Sequence, residues 1–137
     1  MLELLMKRRS IRKYKPEAVS EDALKKIMQA ALLSPSSRGR TPRAFVVVQN
    51  KDTLKALGKC RHPQQAFLPD TPAAIVVLGD TSVTDVWVED CSIAMTIMQL
   101  EAETLGLGSC WIQIRNRMAQ GEAQTSKIGR ASCRERV

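Results

Sequence analysis

Apolar residues change their spacing several times along the chain, and each change marks an element. Leu2, Leu4, Leu5 and Met6 predict a short opening helix. After Ser20, the residues Leu24, Ile27, Met28, Ala31 and Leu32 recur at helical spacing, with Lys25, Lys26 and Gln29 on the wet side. Ser20 is a suitable N-cap, followed by Glu21 and Asp22 in the first turn, although Ala23 stands where a capping box would carry Glu or Gln. The helix must stop before residues 34–42, Ser-Pro-Ser-Ser-Arg-Gly-Arg-Thr-Pro, whose two prolines and glycine forbid regular structure.

Residues 44–49 (Ala-Phe-Val-Val-Val-Gln) form a continuously apolar, β-branched run, as expected of a strand covered on both faces. Residues 50–58 read as a short capped helix ending at Gly58, and residues 59–72 as a loop holding His62-Pro63-Gln64-Gln65 and Pro69-Asp70-Thr71-Pro72. Residues 73–78 are a second buried strand, closed by Gly79-Asp80. Residues 85–105 predict the long central helix. Its middle, Cys91 to Met98, has few polar residues on any side, which implies burial around most of its circumference and cover from a partner subunit. Gly106-Leu107-Gly108 ends that helix, and residues 109–114 (Ser-Cys-Trp-Ile-Gln-Ile) predict a third strand, with Trp111 read as a core residue. The pattern contains no internal repeat and no linker. It describes one compact unit of mixed α and β type.

Composition narrows the picture. A chain of 137 residues suits one domain, and 44% apolar with 26% charged residues is ordinary for a soluble globular protein. No apolar run approaches the roughly 20 residues of a membrane span, and the N-terminus lacks a signal peptide's long apolar core. The expected location is cytoplasmic. Cys60, Cys91, Cys110 and Cys133 are widely spaced without a CxxC pair, so neither zinc nor a disulfide framework is indicated, and Cys91 and Cys110 read as buried thiols. His62 is the single histidine, which leaves little raw material for a Ser-His-Asp or multi-histidine metal site.

The net charge of +7 suggests nucleic acid until its origin is traced. Lys127, Arg130, Arg134 and Arg136 against Glu135 place +3 in the last eleven residues, leaving +4 for residues 1–126. Residues 127–137 have neither helical nor strand period. Ile128 through Val137 also match the conceptual translation of a widely used short-read sequencing adapter without a mismatch. We therefore expect residues 1–126 to be the folding unit and 127–137 to be a non-native tail, excluded from fold reasoning.

Candidate chemistry concentrates near the start. In Arg8-Arg9-Ser10-Ile11-Arg12-Lys13-Tyr14 the cations are interrupted by a hydroxyl and an apolar residue, then followed by Pro16 and a capped helix. That arrangement suggests a shaped anion site on a folded domain rather than a disordered basic arm. Arginine offers a planar fork of donors suited to phosphate, and Ser10 adds a short donor beside it.

Three segments together resemble the nitroreductase family of FMN enzymes: Arg8–Tyr14 before a Ser-capped helix, Ser34-Pro35-Ser36-Ser37 before a strand, and Leu105-Gly106-Leu107-Gly108-Ser109-Cys110-Trp111-Ile112. The similarity covers essentially all of residues 1–118. It implies an α+β fold, a mixed sheet flanked by helices around a long central helix, incomplete at the C-terminus. By the same resemblance, Arg8, Arg9, Ser10 and Arg12 would hold FMN, with Arg8 and Ser10 at the phosphate and ribityl chain and Arg12 at the N1/O2 edge of the ring. Pro35, Ser36 and Ser37 would reach the cofactor from the other subunit of a homodimer. Gln65 would approach the pyrimidine edge, and the backbone of Gln113 and Ile114 would face N5 and O4.

The implied reaction is a ping-pong hydride transfer from NAD(P)H to a small-molecule acceptor such as a nitroaromatic or quinone, with no side chain acting as nucleophile or metal ligand. Two departures from the family pattern stand out. Arg38, Arg40 and Thr41-Pro42-Arg43 replace an Asn and a Gln-Pro-Trp, which implies a more basic flavin face. The family's last strand, further phosphate-binding cations and C-terminal extension are also missing. Two alternatives remain open at this point. One is a basic module contacting nucleic-acid phosphates, which the 4% aromatic content makes poorly equipped for base stacking. The other is a truncated product without function.

Overall fold

The computed structural model describes residues 1–61 and 63–117. His62, Cys133 and the expected tail 127–137 lie outside the described residues. Among the described residues four helices and two strands follow in the order α1 (Leu2–Lys7), α2 (Glu21–Leu33), β1 (Arg43–Val48), α3 (Lys51–Gly58), β2 (Ala74–Gly79) and α4 (Trp87–Thr104). Short 3-10 turns occupy Ser37–Gly39 and Leu68–Asp70.

The caps set the helix starts. Ser20 Oγ accepts the Ala23 N–H at 3.3 Å, and Asn50 Oδ1 accepts the Thr53 N–H at 3.0 Å. At the end of α4, Gly106 adopts φ +71°, the left-handed conformation that glycine takes without a Cβ penalty. The Leu107 N–H then reaches Ala102 O at 2.8 Å and the Gly106 N–H reaches Glu103 O at 3.1 Å, the paired bonds of a Schellman termination. Ala102 is buried and Leu107 packs against the same core, so the chain leaves α4 in a fixed direction.

β1 and β2 pair antiparallel, with Phe45 opposite Val77 and Val47 opposite Ile75. Phe45, Ile75 and Val77 pack against a core of Ile27 and Ala31 from α2 with Met98 and Ala102 from α4. The expectation of strands covered on both faces is corrected: Ala44, on the face opposite Phe45, is exposed, and Val47 is exposed toward the end of Phe45's own face. An apolar run reveals that a strand wants cover, but a two-stranded sheet receives its main cover from the helices on one side.

The predicted third strand, residues 109–114, also does not form. Ser109 makes a single parallel bridge to Ser10. Beyond it the backbone bonds locally, the Arg117 N–H to Ile114 O at 3.1 Å and the Gln113 side-chain amide to Arg115 O at 3.1 Å. A strand needs a row of partner groups, and within the described residues the chain supplies one.

Within one chain α4 buries a narrow stripe, leaving the cover expected from a partner subunit to a second copy. Asp90, Ala94, Met98 and Ala102 are buried at four-residue spacing, whereas Ile93 is 39% exposed. Ser92, Ile93, Thr96 and Ile97 line an open cleft of about 280 Å³ on the other side. No helix among the described residues is long and apolar enough to cross a membrane.

Candidate functional site

The end of α4 and the basic segment are built to meet. Helix α1 closes with the Arg8 N–H on Leu4 O at 2.8 Å, and the chain then runs extended past α4's Schellman turn. Ser10 bridges Ser109, and the Ile11 N–H donates to Ser109 O at 2.9 Å. This approach requires Gly108. A Cβ there would lie 2.9 Å from Ile11 Cγ1 and 3.0 Å from Ile11 Cβ. Two segments a hundred residues apart, the basic run and the Gly-Leu-Gly-Ser run, therefore form one surface.

On that surface Arg8 is half-buried, while Arg9, Ser10 and Arg12 are exposed. None of the three guanidinium groups makes an ion pair among the described residues. Arg12 touches its own segment, donating from Nη1 to Ser10 O at 3.4 Å. Tyr14 braces the run from behind: its hydroxyl donates to Ile11 O at 2.6 Å and its ring leans on Phe67, with centroids 6.3 Å apart. Desolvation, with Cys110 adding to it and Arg12 opposing, pushes the Tyr14 phenol up to about 12.

Loop 59–72 supplies the third side. Arg61 Nη1 donates to Gln113 O at 3.4 Å, and Arg61 Nε is buried without a partner among the described residues. Gln65 is half-buried, its backbone N–H on Gly58 O at 3.1 Å and its amide turned onto Pro63 O at 3.1 Å. Gln113 and Ile114 are half-buried, and Trp111, read from sequence as core, is 38% exposed. Cys91 and Cys110, read as buried, are half-buried. Burial raises the Cys60 thiol above its ordinary range.

The Pro35-Ser36-Ser37 turn is held elsewhere. The Ser37 N–H donates to Asp90 Oδ1 at 2.8 Å, and Ser36 Oγ accepts the Thr41 N–H at 3.0 Å. Arg43 donates from Nη1 to Pro35 O at 2.7 Å and from Nη2 to Ser34 O at 2.8 Å. Among the described residues the turn makes no hydrogen bond to residues 8–12, so one chain brings together Arg8–Arg12, Gln113 and the edge of loop 59–72 but leaves Pro35–Ser37 apart. Of the cations implied to make the flavin face more basic, Arg43 places its fork on backbone carbonyls and Arg40 Nη1 donates to Val83 O at 3.1 Å. Arg38 remains exposed, at φ +52°.

Chemically, the assembled surface offers unpaired guanidinium groups, a serine hydroxyl and a buried orphan N–H, a donor set suited to an anionic group joined to a flat, polar-edged ring. The orphan Nε of Arg61 gives the fit its sharpest test, because a buried donor without a partner calls for an acceptor. Sequence reasoning missed Arg61 and Asp90. Asp90 had one signal, a lone acid on the otherwise apolar stripe Ala94, Met98 and Ala102. Among the described residues no group of three or more His, Cys, Asp or Glu side chains is placed to hold a metal.

The nitroreductase family model matches residues 5–64 and 59–128. The chain belongs to the nitroreductase family. A solved FMN-dependent nitroreductase from Clostridium difficile is 48% identical, with a TM-score of 0.90 over 96% of this chain and 77% of that one. A Desulfovibrio desulfuricans structure, provisionally named a nitroreductase and solved in complex with FMN, is 28% identical with a TM-score of 0.72, covering 82% of this chain and 67% of that one. A Methanothermobacter thermautotrophicus protein, provisionally named an NADH dehydrogenase/NAD(P)H nitroreductase, is 41% identical over 114 residues, 81% of this chain. This nitroreductase-family chain spans 59% of the length of that relative.

Proposed function

We propose that the chain is the FMN-binding part of an NAD(P)H-dependent oxidoreductase acting on nitroaromatics, quinones or similar acceptors, working as a homodimer with the cofactor between subunits. The observation that carries this reading is the docking of Ser10 and Ile11 onto Ser109, which ties the basic segment, whose guanidinium groups make no ion pair among the described residues, to the segment that leads to Gln113 and its bond from Arg61. Family membership and the FMN named in two similar structures supply the cofactor's identity. When bound, FMN supplies two-electron chemistry, a hydride arriving from NAD(P)H and the electrons leaving to the acceptor in ping-pong order.

The chain's own residues bind, orient and tune. Arg8, Arg9 and Ser10 are the phosphate and ribityl donors. Arg12 is the cation for the ring edge that becomes negative on reduction, where a fixed guanidinium stabilises charge without reorganising. Arg61, Gln65 and the backbone of Gln113 and Ile114 face the remaining polar edge. Pro35, Ser36 and Ser37 reach the cofactor of the partner. The exposed apolar positions Leu2, Leu5 and Met6 on α1 and Ile93 on α4 support a second copy as cover.

Anaerobic mixing tests the reading. The FMN-loaded chain bleaches its flavin band on addition of NADPH or NADH and recovers it with a quinone. A loaded chain that neither nucleotide bleaches, while dithionite does, contradicts the activity. A chain that takes up no FMN and instead binds nucleic acid in a salt-sensitive manner supports the basic-module alternative.

A further inference from the structure

We propose that Arg43 and Asp90 are a positioning pair for the cofactor site, fixing the Pro35-Ser36-Ser37 turn in the shape it presents to the partner subunit. The inference rests on the reading that this turn touches the cofactor. It adds two residues that the sequence pattern did not single out for that task, one of them placed by sequence on the flavin face.

The geometry divides the work by charge. The turn has backbone donors and acceptors that no helix or strand satisfies, because Pro35 and Pro42 bracket an irregular segment. The acid takes a donor: Asp90 Oδ1 holds the Ser37 N–H at 2.8 Å. The guanidinium takes the acceptors, with Nη1 on Pro35 O at 2.7 Å and Nη2 on Ser34 O at 2.8 Å. Arg43 Nη1 also reaches Asp90 O at 3.4 Å, tying both ends of the clamp together. The planar fork of arginine can span two neighbouring carbonyls, which a lysine ammonium does less well.

The pair stands on rigid ground. Arg43 opens β1, and Asp90 belongs to the buried stripe of α4 at 2% exposure. Asp90 Oδ2 is buried and has no partner. A buried carboxylate with one oxygen unsatisfied costs local stability rather than adding to it. What it secures is the turn, whose Ser37 hydroxyl makes no hydrogen bond among the described residues and so stays available. Ser36, by contrast, is engaged with Thr41 N–H.

The test combines two readouts on the full chain: amide exchange at Ser37, and FMN affinity from quenching of flavin fluorescence. Arg43→Ala and Asp90→Ala speed Ser37 exchange at least tenfold and raise the FMN Kd about tenfold, equivalent to about 1.4 kcal/mol. Asp90→Asn keeps a side-chain oxygen for the Ser37 N–H, so both readouts stay within about threefold of wild type, a difference of less than about 1 kcal/mol. Arg43→Lys, which retains charge but loses the fork, falls between. Should Asp90→Ala fail to fold, the Arg43→Ala, Arg43→Lys and Asp90→Asn series decides the matter.

Wild-type FMN binding with Arg43→Ala affinity within twofold overturns the proposal, even if exchange quickens, because the turn is then no wall of the site. Equal losses in Asp90→Asn and Asp90→Ala also overturn it. A wild-type chain that binds no FMN removes the functional reading and the cofactor role of the pair together, whereas the exchange data still report whether the clamp exists.

Discussion

Replacing Gly108 by alanine tests the contact that assembles the site. Gly108 does not sit at positive φ, so backbone strain does not oppose the change, and reduced freedom of the unfolded chain alone favours alanine by about 0.4–1 kcal/mol. The new Cβ, however, falls 2.9, 3.0 and 3.1 Å from Ile11 Cγ1, Cβ and Cγ2. The γ carbons can rotate away, but the Cβ of Ile11 moves only with its backbone. Relief therefore pulls residues 10–12 off Ser109 and weakens the 2.9 Å bond from the Ile11 N–H. Overpacking of about 1–3 kcal/mol and a lost hydrogen bond of about 1 kcal/mol outweigh the gain, leaving a net loss of about 2 kcal/mol. Urea unfolding of Gly108→Ala, Ile11→Ala and the double variant measures it. Ile11→Ala removes two of the three close contacts, so the cycle carries a coupling of about 1 kcal/mol. A Gly108→Ala protein as stable as wild type, with no coupling to Ile11, refutes the docked geometry.

Arg12→Ala lowers the reduction potential of bound FMN and slows its reduction by NAD(P)H; an unchanged potential with FMN still bound removes Arg12 from the ring edge. Tyr14 is the chain's single tyrosine, so alkaline titration of tyrosinate absorbance reads it alone, and its midpoint should lie near 12. Because the folded phenol holds its proton above the unfolded value of 10.0, stability is intact below pH 10 and falls as pH rises from there toward 12; Tyr14→Phe abolishes that slope. Asn50→Ala removes the acceptor for the Thr53 N–H at the start of α3 and costs about 1 kcal/mol in urea unfolding, whereas Asn50→Ser costs little.

Local chemistry was the legible part of this fold. Ser20 and Asn50 cap the helices they were expected to cap, and Gly106 ends α4 through the left-handed turn that a Gly-Leu-Gly run suggests. These features need only neighbours in sequence. The strand expected at residues 109–114 failed because β-branched and aromatic content says nothing about whether a partner strand is within reach; among the described residues it is offered residue 10 and no more. α4 was expected to be buried around most of its circumference with cover from a partner subunit, and within one chain Ile93 stays open, which leaves that side to a second copy.

The site divides in the same way. Arg8–Arg12 and residues 109–114 were separately recognisable, but their junction depends on Gly108 yielding space to Ile11, a tertiary fact. Arg43 was legible as a charge but not by its contacts, since packing turns its guanidinium onto the Ser34 and Pro35 carbonyls. Arg61 carried no motif and Asp90 only its place on an apolar stripe, and the placement of loop 59–72 and the N-terminal turn of α4 is what brings Arg61 to Gln113 and Asp90 to the Pro35-Ser36-Ser37 turn.

Equilibrium titration of FMN into the purified chain, followed by flavin fluorescence, tests the central claim most directly. We predict saturable uptake approaching one FMN per chain, weakened at least tenfold in Arg8→Ala and in Ser10→Ala, a loss of about 1.4 kcal/mol or more. Absence of saturable binding, or equal affinity in wild type and both variants, would contradict the assignment of the docked basic segment as the cofactor site.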